Sequence, residues 1–130
     1  MINFKRTDHV NVCVPIEKIA EARAFYTNVL GLTPKPRPDH VFDTPGYWFQ
    51  LADIEFHVGV EPPSGQTFRH TAFEVTDLAA CRQQLIDNGV TILEQPLIEG
   101  RERLMFADPF GNMMELLEYL TPALSKGEGA

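Results

Sequence analysis

The chain has 130 residues, of which 44% are hydrophobic and 22% charged, with a formal net charge of −7. That fits one ordinary globular domain with a core large enough to need no disulfide staples. The acidic balance, with no run of Lys or Arg, excludes nucleic acid as the main partner, because phosphate neutralisation needs clustered cations.

No stretch approaches the roughly 18 apolar residues of a membrane span. The opening from Met1 to Asp8 carries no apolar signal-peptide core. Cys13 and Cys81 lack metal or redox spacing. These features predict a reduced, cytoplasmic protein with no membrane partner.

Residues 8–14 alternate strictly, with Val10, Val12 and Val14 on one side and His9, Asn11 and Cys13 on the other. That predicts a half-buried strand. A helix is expected over 17–29, where Ile19, Ala22, Phe25, Tyr26 and Val29 form an apolar stripe. Gly31 suits the position just past its end. A short strand begins at Leu32 and Thr33, and Pro34, Pro36 and Pro38 break it. Residues 46–51 and 54–60 read as a hairpin turning at Ala52-Asp53. Pro62-Pro63-Ser64-Gly65 is the clearest internal break.

The second half repeats this order. A strand covers 69–75 and opens with His70. Asp77 is a good N-cap for a helix over 78–88, which Gly89 closes. Short strands are expected at 90–94 and 102–107. A strong turn spans Asp108 to Asn112, and a last strand covers 113–119. The residues from 121 onwards read as a frayed tail. The expected architecture is α+β: one domain over 1–120 built of two βαβββ modules, about 6–61 and 67–119. They form a curved mixed sheet around a metal-binding cavity.

The offsets support the repeat. His9 and His70 lie 61 positions apart, and His57 and Glu115 lie 58 apart. Each module therefore begins and ends with a metal-capable side chain on a strand. His9, His57 and His70 all occupy the less apolar faces of their strands. Neutral imidazoles with one carboxylate suit a divalent cation that keeps open positions for water or substrate.

Several segments together resemble the glyoxalase/bleomycin resistance/extradiol dioxygenase superfamily, the vicinal oxygen chelate fold. They are Asp8-His9-Val10-Asn11-Val12, Phe25-Tyr26-Thr27-Asn28-Val29-Leu30-Gly31-Leu32, Ile54-Glu55-Phe56-His57-Val58, Arg69-His70-Thr71-Ala72-Phe73-Glu74-Val75 and Asp108-Pro109-Phe110-Gly111-Asn112-Met113-Met114-Glu115-Leu116. The resemblance implies one divalent metal per chain (zinc, nickel, cobalt, manganese or iron). Its ligands would fall on His9, His70 and Glu115, with His57 as the fourth and Glu55 as fallback if the register slips. Glu115 would also shuttle a proton.

The resemblance further implies an oxygen-bearing small-molecule substrate, isomerase- or lyase-type chemistry like that of a lactoylglutathione lyase, and a homodimer. An iron-dependent ring-cleaving dioxygenase and a metal-free drug-binding protein are the alternatives. Trp48, Arg101 and Arg103 are candidates for substrate contact, the arginines towards an anionic group. Core packing for Trp48 and a solvated edge for the arginines compete with that role. Asp108 reads as a turn former.

Overall fold

A computed structural model describes residues 1–63, 65 and 67–120. The tail expected from 121 lies outside the described residues. The chain divides into two compact units, Met1–Ser64 and Gly65–Ala130, parting within the Pro-Pro-Ser-Gly break. Among the described residues, no helix is long and apolar enough to cross a membrane.

In the first unit, β1 (His9–Val14) runs parallel to β4 (Ile54–Val60). β4 pairs antiparallel with β3 (Tyr47–Leu51), and β3 with β2 (Thr33–Lys35), giving the order β1-β4-β3-β2. The expected hairpin turn falls at Ala52-Asp53, where Ala52 takes a positive φ of 51°. Two-residue turns match the twist of the strands only with such backbone angles.

The helix expected over 17–29 is three successive windings. A 3-10 turn at Ile16–Lys18 leads into α1 (Ile19–Ala24), which widens to a π-type winding at Phe25–Val29. The wider winding shows in the amide of Leu30, which donates to the carbonyl of Phe25 five residues back. It brings Tyr26, fully buried, against the rings of Phe56 (4.8 Å) and Phe49 (6.1 Å). Val14, Phe49, Phe56 and Val58 complete this core.

The second unit repeats the plan. β5 (His70–Glu74) runs parallel to β8 (Met113–Tyr119), which pairs with β7 (Arg101–Ala107), which in turn pairs with β6 (Ile92–Leu93). The eight strands thus form two four-stranded hydrogen-bonded sheets of matching order. β7 begins one residue earlier than the sequence suggests, so Arg101 joins Arg103 in the strand itself.

α2 (Leu78–Asp87) packs on β6, β7 and β8, burying Leu78 and Leu85 in a core with Leu104, Phe106 and Met114. Its cap is as expected: Asp77 Oδ1 accepts from the amide of Ala80 at 3.0 Å. Asp108 is buried as a turn former. Its carboxylate accepts from the amides of Phe110 and Asn112 and from the Asn112 side chain, all within 2.9 Å.

Candidate metal centre

The two parallel ladders set equivalent positions. In the first unit His9 pairs with Glu55, and two residues on Asn11 pairs with His57. In the second His70 pairs with Met113, and two residues on Ala72 pairs with Glu115. His57 and Glu115 therefore occupy the same place in their modules, while Glu55 matches Met113. Alternation puts each pair on the same sheet face as its module's opening histidine.

In the second unit His70 Nδ1–H donates to the carbonyl of Phe68 at 3.0 Å. That fixes the neutral tautomer with its lone pair on Nε2. This Nε2 faces Oε1 of the buried Glu115 at 3.3 Å. A lone pair and a carboxylate oxygen repel unless a proton or a metal ion lies between them. Two donors about 2.1 Å from one ion stand roughly 3 Å apart, so the spacing fits a shared cation. Arg103 Nη1 lies 3.7 Å from the same Oε1, and its Nε and Nη2 donate to the carbonyl of Pro96. Arg101 lies over the ring of Tyr119 at 5.1 Å.

In the first unit His9 has the same tautomer as His70. Its Nδ1–H donates to Asp8 Oδ2 at 2.9 Å, leaving the Nε2 lone pair available. Anchoring of the distal ring nitrogen by a carboxylate or carbonyl is the usual outer support of a metal-binding histidine.

His57 differs in both respects. Its Nε2–H donates to Glu55 Oε1 at 2.9 Å. Its ring is clamped between His9, 4.0 Å away, and Trp48, 4.2 Å away and parallel within 1°. Glu55 in turn accepts from Lys35 Nζ at 2.6 Å. The hydrogen bonds from His57 and then Lys35 hold the Glu55 carboxyl below its usual range. Trp48 also meets Phe42 edge-on at 6.2 Å.

Of the residues singled out in the sequence, the second unit brings together His70, Glu115 and Arg103, and the first His9, His57, Glu55 and Trp48. Within either unit, among the described residues, no three His, Cys, Asp or Glu side chains gather as a metal-ready group.

A family model for the Glyoxalase/Bleomycin resistance protein/Dioxygenase superfamily matches residues 6–116. The chain belongs to this superfamily.

Among solved structures, the superfamily member described here is similar to a glyoxalase family protein from Bacillus anthracis. Identity is 34% over 92% of this chain and 99% of that one, with a TM-score of 0.81. The fosfomycin resistance protein FosX from Listeria monocytogenes shares the fold at 16% identity and a TM-score of 0.73, covering 89% and 94% of the two chains. A mutant of that FosX, 19% identical over 89% of this chain and 92% of its own at a TM-score of 0.73, was solved with Mn(II) and 1S,2S-dihydroxypropylphosphonic acid. No match is found among the curated proteins.

Sequence reasoning missed two participants. Asp8 supports His9, and its place directly before the histidine was the available signal. Lys35 holds Glu55, and the alternation Pro34-Lys35-Pro36-Arg37-Pro38 hid a cation that reaches across the sheet face to a strand 20 positions later.

Proposed function

We propose that this protein is a metal-dependent enzyme acting on an oxygen-bearing small molecule. One divalent cation would be held by His9, His70 and Glu115, the ligand set that the family resemblance implies. The observation that carries this reading is the His70–Glu115 pair, an imidazole Nε2 and a buried carboxylate oxygen 3.3 Å apart, a spacing that a shared cation fits. When bound, such a cation supplies Lewis-acid stabilisation of developing negative charge on a substrate oxygen.

The chain's own groups would do the rest. The Phe68 carbonyl and Asp8 keep His70 and His9 in the tautomer that presents Nε2. Glu115 can hold or return a proton at Oε1 or Oε2, and Arg103 beside it keeps a positive charge close to that carboxylate. His57, the fourth ligand expected from the resemblance, has its Nε2 occupied by Glu55, and its place between Trp48 and His9 suits it to brace the His9 ring. A small-molecule substrate and a two-fold dimer complete the reading. Light scattering after size exclusion checks the dimer, and a monomer at micromolar concentration contradicts it.

A three-donor set also fits an iron-dependent, ring-cleaving oxygenase, and the engaged Nε2 of His57 favours keeping that second reading. Turnover of vicinal-dicarbonyl adducts, thiohemiacetals and catechols, followed with an oxygen electrode after loading with manganese, nickel, zinc or ferrous iron, tests the proposal. Turnover without oxygen uptake supports Lewis-acid chemistry, and oxygen uptake with catechols and iron alone supports the second reading. Tight binding of a drug-like ligand to metal-free protein, with no turnover of any compound, overturns both.

A further inference from the structure

A cavity of about 220 Å3 lies wholly within the first unit, between α1 and the loop that joins β2 to β3. Arg23, Lys35 and Arg37 line it, with one carboxylate, Asp39, and an aromatic wall that includes Tyr47 and Trp48. Three of the chain's 11 Lys and Arg residues thus surround one small space in a protein whose net charge is −7.

The three cations are not equivalent. Lys35 is matched by Glu55 at 2.6 Å. Arg37, only 10% exposed, is matched by Asp39. Its Nη2 also donates to the carbonyl of Thr44 at 3.0 Å, and its guanidinium lies 4.2 Å from the centre of the Phe42 ring. Gly46 is required for that fit, because a Cβ there would stand 3.0 Å from Arg37 Cζ and 2.6 Å from the carbonyl oxygen of Val58. Arg37 is therefore fixed in place before any ligand arrives. Arg23, among the described residues, faces no carboxylate and has only the ring of Tyr47, 5.6 Å away. The cavity holds one positive charge more than its surroundings neutralise.

We infer that this cavity binds the oxyanion head group of a small acid, a phosphate or carboxylate, with Arg23 as the cation that closes on it. Arginine's fork suits planar or tetrahedral oxyanions, and a pre-fixed Arg37 lowers the ordering cost of binding. The volume falls below the roughly 300–1,000 Å3 of sites for drug-sized ligands. It therefore admits a head group and a short stem, and the aromatic wall favours an apolar stem. This site needs no metal, although Lys35 and Trp48 also belong to the network around Glu55 and His57.

Calorimetric titration of the full chain with phenyl phosphate, in a neutral chelator such as phenanthroline to keep any metal from acting as the anion's partner, tests the inference. Emission of Trp48, the single tryptophan, is followed in parallel. Saturable binding is expected, weakened about tenfold or more in Arg23→Gln and less in Arg23→Lys. Inorganic phosphate should bind more weakly with the same order of variants, and added chloride should weaken both ligands by screening. The inference is overturned if phenyl phosphate shows no saturation, if neutral phenol binds equally well, if Arg23→Gln binds as tightly as the parent, or if binding ignores salt.

Discussion

The two units share a strand order and a register and differ in what they do with the polar positions. Asn11 opposite His57 and Ala72 opposite Glu115 are the same step of the same ladder. In the first unit that step is closed: His57 donates to Glu55, Glu55 accepts from Lys35, and two rings stack on the imidazole. In the second it is open. Glu115 is buried beside a histidine whose lone pair points at it, and Arg103 is its nearest cation. A repeated backbone therefore supplies two equivalent sites. The neighbours, Glu55 against Met113 and Trp48 against Met105, decide which one is enclosed and which leaves a buried carboxylate facing an imidazole nitrogen.

The sharpest break in the comparison is at the two cores. Phe56→Ala removes a ring that is 1% exposed and lies 4.8 Å from the Tyr26 ring, and Phe106→Ala removes one that is fully buried in the second unit. Each should cost about 3–5 kcal/mol in denaturant unfolding. A loss below about 1 kcal/mol for either would deny that unit a packed core of its own.

The closed network of the first unit makes a smaller, pH-dependent contribution. The Glu55 carboxyl titrates below its ordinary value of 4.5 in the folded protein, so the stability it lends is present above that value and is lost as pH falls through the lower one. Glu55→Gln should therefore be less stable than the parent at neutral pH, with the gap narrowing below pH 4.5. A gap that stays constant through the acid range would contradict the assignment. The smallest effect is at the hairpin: Ala52→Gly relieves the positive φ of 51° and should stabilise by about 0.5–1 kcal/mol in thermal melts. Destabilisation there would mean that the added backbone entropy of glycine outweighs the relief.

Much of this was legible in the chain itself, for definite reasons. Alternating valines mark β1, Asp77 caps α2 through its own carboxylate, and Asp108 builds its turn from groups within four residues. Local interactions leave local signatures. The break of the first helix into three windings left none, because an apolar stripe reads alike whether amides bond four or five residues back. The same holds for the contrast between His57 and His70. Which ring nitrogen is occupied depends on Glu55 two positions away in one case and on a backbone carbonyl in the other, and strand alternation alone cannot distinguish them. Arg103 reaches Glu115 across a β7–β8 diagonal, a contact that exists only once the register is set.

The central claim is that the open pair of the second unit, and not its closed counterpart in the first, holds a divalent metal. Elemental analysis of protein purified without chelator, comparing Glu115→Ala with His57→Ala, tests this most directly. Up to one metal ion per chain is expected in the parent, with a near-complete loss in Glu115→Ala and a smaller, partial loss in His57→Ala, where removing an outer support weakens affinity by about 10–100-fold. Full metal retention in Glu115→Ala, or complete loss in His57→Ala alone, would contradict it.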